Sequence, residues 1–478
     1  CGGGGGGSSP STGSGGTVAP GPTPSPAPTS AGCSLRDQQN FADAVLNEWY
    51  LFPDLLAPAN PASFRDLQSY LDARVAPARA ANRDQGFTFA TSIAEENGLI
   101  NSGTNAGFGI RLFYDTPSRR LFVIEAFEGG NGLAAGLDRG SEIVAIGTTG
   151  ANVQSVASLF ASGGEQAVAN ALGPSTPGTT RVLRFVQPGG ATLERSITKT
   201  EFGLSPISNR YGVGVIVDGN RRIGYINLRT FIIAETSDRL REAYRLLAAD
   251  GVTELILDFR YNGGGLVEVA DVLGDLTGRG RVGQVWSRTV LRPSKSSENT
   301  TRLFRNEPNA LAPTRIAVIA TDATASASEL VTNSLIPYLG NNIALVGSNT
   351  SGKPVGQFGF DLPACDLRIR AVAFQTLNAS GQGDYFNGLA SVMPNTCRAG
   401  DDISRQLGDP REASIAAALD FLAGRACTPI TASAGGTAVD ASGLSRSQRA
   451  RIGLDLPQRR PLQTDEPNAA QREMPGLF

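Results

Sequence analysis

The stretch TDATASASELVTNSL, residues 321 to 335, follows the apolar run RIAVIA and opens a segment with helical spacing, so it reads as the point where a buried strand turns into a helix. Within it, Ser326 and Glu329 have the spacing of a capping box, in which the serine caps the helix and the glutamate reaches back to it. A serine at a helix start stands beside unpaired N–H groups and the positive end of the helix dipole, a setting suited to an oxyanion. The chain of 478 residues contains no histidine. Ser-His-Asp triads and histidine-bearing zinc sites are therefore excluded. Arginine stays protonated in proteins, which leaves only Lys199, Lys295 and Lys353 as amine bases.

Around this stretch, strands and helices alternate from about 220 to 425, the pattern of an α/β layered core. Apolar strands are expected in RRIGYINLRTF, ELILDFR, RIAVIAT and NIALVGS, with helices between them. A polar segment, 281–313, reads as an insertion. Residues 101–203 have the short, turn-bounded strands of a compact β-rich module, and 34–100 hold two helical patterns. The Gly/Ser/Pro tract within 1–33 cannot bury enough apolar surface to fold and reads as a tether, and 428–478 read as a flexible tail. The core is assigned to 204–427.

Three stretches of the core stand at or just beyond strand ends: DFRYNGGG (258–265), TASASE (324–329) and SGKPVGQ (351–357). Strand ends along one edge of an α/β sheet are where ligands bind. In this order the three stretches resemble the C-terminal processing peptidases, or tail-specific serine proteases, which carry DxRxNxGG, SASE and GKxxxQ behind a PDZ domain. The resemblance covers about residues 105–425. It implies a layered, crotonase-like serine-peptidase core with Ser326 as nucleophile, Ser328 and Thr324 being the outside candidates. Lys353 would be the base and Gln357 the group that orients it, and the oxyanion would be held by the N–H of Ala327 and of Gly264 or Gly265. Asp258 and Arg260 would be supporting residues. No metal and no organic cofactor are implied.

A lysine with the ordinary pKa of about 10.4 is neutral less than about 0.1% of the time at pH 7. Burial that lowers it by about 3 units penalises the ammonium by roughly 4 kcal/mol, within reach of desolvation. Lys353 lies between two apolar strand patterns where such burial is plausible, whereas Lys199 and Lys295 read as solvated. SITK (196–199) imitates a penicillin-binding SxxK signature but lies on an expected strand, without the supporting elements.

In the β-rich module, GFGIRL followed by AAGLDRGSEIVAIG resembles a PDZ domain, with Phe108, Gly109 and Ile110 in place of the carboxylate-binding loop. Such a loop presents backbone N–H groups to a chain end while the strand edge pairs with an extended peptide. The partners implied are protein or peptide C-termini. The ending MPGLF is itself an end of this kind, so the chain could trim or occupy its own site.

A net charge of -2 gives no basic field for nucleic acid, and no apolar run is long enough to span a bilayer. Cys1 ahead of the tether resembles the acylated start of a bacterial lipoprotein, which implies a lipid anchor at the periplasmic face of the outer membrane as the only membrane contact. In that exported setting the other four cysteines would form two disulfides, expected as Cys365 with Cys397 and Cys33 with Cys427. The alternative to an enzyme is a non-catalytic peptide- or ligand-binding protein on the same scaffold.

Overall fold

The computed structural model describes residues 32–115, 118–430, 459–465 and 467–478. Cys1 and nearly all of the tether lie outside the described residues. The α/β core forms as the alternation of apolar and amphipathic runs requires. Strands Arg221–Asn227, Glu254–Asp258, Arg315–Ala320 and Ile343–Gly347 run parallel in a six-stranded sheet, flanked by antiparallel Val213–Asp218 and parallel Thr396–Arg398. Side-chain alternation splits each strand between two cores. Leu255 and Leu257 pack under helices Thr236–Ala249, Val267–Thr277 and Ala327–Leu339, while Ile256 faces helix Ala413–Leu422 on the other side.

A second, five-stranded sheet contains Val355–Leu362 and Leu367–Leu377, with Phe89–Ser92 on one flank. Segment 281–313 is no insertion: it supplies the hairpin Val285–Leu291 and Thr300–Leu303 to this sheet, anchored by the fully buried Trp286. The helices Leu35–Trp49 and Leu67–Ala80 pack onto the sheet's apolar face through Val45, Leu46, Tyr70 and Leu71 against Ile369 and Val372. Lys353 and Gln357 are carried to the junction of the two sheets by strand Val355–Leu362 and the turn before it.

The β-rich region is an antiparallel sheet of Ile110–Asp115, Arg120–Ala126, Glu142–Gly147, Thr180–Val186 and Thr192–Thr198, covered by the helix-rich stretch Val156–Leu172. Its edge strand Ile110–Asp115 pairs with Arg460 and Pro461 of the tail. The expectation of flexibility over 428–478 therefore does not hold for 459–465 and 467–478, where Leu462, Met474, Leu477 and Phe478 are buried. A few apolar side chains spaced along a Pro/Gln/Arg-rich segment suffice, because the groove that receives them is already built.

The disulfides also differ from expectation: Cys33 is bonded to Cys365 and Cys397 to Cys427, with Cα–Cα separations of 5.2 and 5.0 Å. Cys365 and Cys397 are close in sequence but belong to different layers. Cys365 sits in the turn joining two strands of the five-stranded sheet, where the start of helix Leu35–Trp49 arrives. Cys397 lies on the edge strand of the six-stranded sheet, and Arg398 N–H donates to Thr428 O beside Cys427 at 2.6 Å.

Candidate active site

The parallel strands end in register, so the loops after Asp258, Ala320 and Gly347 converge on one edge of the six-stranded sheet. Ser326 is the N-cap of helix Ala327–Leu339 and holds φ 56° and ψ -114°, a left-handed backbone that an L-residue adopts only under constraint. Its N–H donates to the Glu329 carboxylate at 2.9 Å, the expected back-reach of the capping box. The other candidate hydroxyls are committed elsewhere. Thr324 donates to Phe259 O at 2.8 Å, and buried Ser328 donates to Asn262 O at 3.2 Å. Of these three candidates, Ser326 is thus the one whose hydroxyl does not donate to a backbone carbonyl.

Glu329 does more than the sequence indicates. Fully buried, it also accepts the N–H groups of Gly352 and Lys353, both at 2.8 Å. Burial pushes its carboxyl up, and these N–H donors, with Thr350, pull it back down. One carboxylate therefore fixes the backbone of both the serine turn and the lysine turn.

Lys353 is half-buried, and its ammonium donates to Gln357 Oε1 at 2.7 Å and lies 4.9 Å from the centre of the Phe87 ring. Burial lowers its pKa below the ordinary lysine value, partly offset by the carboxylates of Glu473 and Asp84. Gln357 is itself oriented, because its amide nitrogen donates to Phe87 O and so turns its oxygen to the lysine. The other lysines differ from the solvated reading. Lys199 is fully buried and donates to Gly173 O at 2.7 Å, and Lys295 pairs with Glu48 at 2.9 Å over the ring of Trp49.

The loop 258–265 is locked from behind. Asp258 and Arg260, both buried, pair at 2.9 Å; Arg260 continues to Glu412 at 2.9 Å, and Tyr225 donates to Asp258 at 2.8 Å. Arg139, from the β-rich region, donates to the Tyr261 hydroxyl at 2.9 Å and pairs with Asp401 at 2.6 Å, tying that region to this loop. Gly264 N–H is engaged by Asn262 Oδ1 at 3.0 Å. Gly264 is needed for space: at φ +111°, a Cβ there would fall 2.7 Å from Ser326 Cβ and 3.0 Å from Ala327 N. A cleft of about 370 Å³ opens beside these loops, lined by Phe87, Gly263, Ala325, Lys353, Arg472 and Glu473.

The loop Phe108-Gly109-Ile110 is also occupied as a peptide groove. Ile110 N–H donates to Phe478 O at 3.2 Å and Phe478 N–H to Ile110 O at 2.9 Å, while Leu112 N–H donates to Gly476 O at 2.7 Å. Gly109 takes φ +74°, and a Cβ there would meet Gly130 Cα at 2.5 Å. Phe87 and Glu473, both against Lys353, were invisible to motif spacing. The burial of Lys199 has one sequence signal, its strand-alternate position two residues after apolar Ile197.

Residues 222–390 match the model of peptidase family S41. The chloroplastic C-terminal processing peptidase of Tetradesmus obliquus is 27% identical over 288 residues, 58% of this chain and 57% of that protein. A Staphylococcus aureus protein designated a CtpA-like serine protease is 29% identical over 140 residues, 28% of this chain and 26% of that one. The chain thus spans little more than half the length of the first of these curated relatives. The crystal structure of a Bacteroides fragilis protein designated an S41 protease superposes with a TM-score of 0.62 over 80% of this chain and 97% of its own, at 22% identity, a likeness of fold. The part of the chain that matches family S41, residues 222–390, is the part that carries all three motifs at one sheet edge.

Proposed function

We propose that the protein is a serine endopeptidase in which Ser326 and Lys353 act as nucleophile and base on protein chains near their ends. The observation that carries this reading is the environment of Lys353: an ammonium depressed by burial, with an oriented amide oxygen as its hydrogen-bond acceptor, on a turn fixed by the same carboxylate as Ser326. Neutral Lys353 takes the Ser326 proton as Oγ attacks the carbonyl carbon, and returns it to the departing amine as the C–N bond breaks. Water, deprotonated by the same amine, then opens the acyl-serine ester. The N–H groups of Ala327 and Gly265 would hold the oxyanion.

The β-rich region acts in this reading as a PDZ-like receptor that pairs a substrate end with strand Ile110–Asp115. Two disulfides among the described residues favour an oxidising compartment. The test is cleavage of an unfolded protein with an apolar end, together with labelling by a fluorophosphonate. Ser326→Ala should abolish both, and Lys353→Ala and Lys353→Arg should abolish cleavage while leaving the fold intact. Undiminished cleavage by any of the three rejects the assignment.

A further inference from the structure

The tail crosses both sites in a single pass. Arg460 and Pro461 pair antiparallel with Tyr114 and Phe113, and Leu462 N–H continues the ladder to Leu112 O at 2.9 Å. The chain then leaves the edge strand, forms the short helix Ala469–Glu473, and rejoins the same edge, where Leu477 bridges Arg111 and Phe478 exchanges hydrogen bonds with Ile110. The tail's pairing with this edge is thus interrupted by an excursion, and the excursion forms one wall of the cleft.

The excursion is constructed rather than loose. Asn468 caps the helix at Gln471 N (2.9 Å), and the Gln471 amide donates to Leu477 O at 2.8 Å, bracing the helix against the returning strand. Arg472 stacks 4.3 Å from the centre of the Phe89 ring. The Glu473 carbonyl lies so close to Gly263 that a Cβ at 263 would fall 2.5 Å from it. At the far end, Phe478 enters the module core with Phe108 and Ile110, and the Lys199 ammonium stands 5.8 Å from its ring and 4.8 Å from that of Phe108.

Resting on the peptidase reading, we propose that residues 459–465 and 467–478 are a tethered competitor that keeps the protein latent, the extended segment 476–478 filling the groove for a substrate end while Arg472 and Glu473 of the helix 469–473 wall the cleft beside Lys353. The ligand class of the groove follows from its present occupant: an extended polypeptide that pairs with the edge strand and buries an aromatic side chain beside Phe108 and Ile110. Both halves of the edge strand are paired by the tail, so a substrate end binds only where the tail has left. The tail also acts on the base. The Glu473 carboxylate stabilises the charged form of Lys353, and a protonated amine cannot accept the serine proton. Tethering places this competitor at an effective concentration on the order of millimolar, and it weakens a free ligand's apparent affinity by about the ratio of that concentration to the tail's own Kd.

The test compares the full chain with a chain ending at 458 and with the full-length double variant Leu477→Asp, Phe478→Asp, which covers the case where truncation impairs folding. A fluorescent peptide PNAAQREMPGLF is titrated onto the Ser326→Ala form of each, so this readout needs no catalysis. The peptide should bind the truncated or double-variant protein at least roughly tenfold more tightly than the full chain. In the Ser326 forms, protease activity should rise by a similar factor and be inhibited competitively by added peptide. Equal peptide binding to the full chain and both altered forms overturns the proposal, as does equal, measurable cleavage by all of them. If no form cleaves but the peptide binds only where the tail is removed or altered, the peptidase reading falls and the tethered ligand stands.

Discussion

Ser326 and Lys353 are joined through one carboxylate: Glu329 accepts the N–H of Ser326 at 2.9 Å and that of Lys353 at 2.8 Å. The spacing of the proposed nucleophile and base is therefore held by a buried side chain outside the proposed reaction. Glu329→Ala should leave the N–H groups of Ser326, Gly352 and Lys353 without their acceptor, at about 1–3 kcal/mol for a buried donor. Denaturant unfolding should show a loss of at least about 2 kcal/mol. Glu329→Gln, which keeps an acceptor oxygen, should fold better yet lose about 100-fold in kcat, as expected for a small displacement of reacting groups.

Gln357 presents a neutral oxygen to the lysine, and its replacement tests whether the amine acts uncharged. Gln357→Glu would place a negative charge 2.7 Å from the ammonium and stabilise it. The acid limb of the kcat/KM–pH profile, where activity rises as Lys353 loses its proton, should then move to higher pH by about one unit or more. An unmoved limb would mean that the titrating group is another.

Gly264→Ala is expected to fold with a displaced serine turn. Its methyl group would fall 2.7 Å from Ser326 Cβ, at a φ of +111° that alanine resists. Activity should drop by about 100-fold or more, with a stability cost of about 1–3 kcal/mol that thermal unfolding can read.

Lys199 makes a separate prediction about pH. Burial, with Arg181 nearby, lowers its pKa from 10.5 to about 7 in the fold. Between those values the unfolded chain holds the proton more firmly than the folded one, so this group makes stability rise with pH from about 7 to 10.5 and contributes no slope below. Lys199→Met should flatten that rise and raise stability at pH 6 by about 1 kcal/mol or more, measured as Tm at pH 6 and pH 9.

Much of the core was legible because its signals are local. ELILDFR and RIAVIAT are apolar for the length of a strand, and a helix start after each follows from glycine or a capping serine. Ser326, Lys353 and Gln357 were reachable because motif order encodes which strand ends meet. What escaped depends on contacts between distant segments. Cys33 meets Cys365 only because helix Leu35–Trp49 docks on the five-stranded sheet, and no spacing along the chain encodes that docking. The tail was misread because its composition is that of a loop, while Leu462, Met474, Leu477 and Phe478 find their partners in a groove formed by other parts of the chain.

The backbone of Ser326, at φ 56° and ψ -114°, is one that glycine occupies freely and serine does not. Ser326→Gly should accordingly unfold at a higher temperature than wild type, by roughly 1 kcal/mol of relieved strain, whereas Ser326→Ala should gain nothing. A single substitution that erases the proposed nucleophile would at once make a sturdier molecule, so loss of that hydroxyl runs downhill in folding free energy.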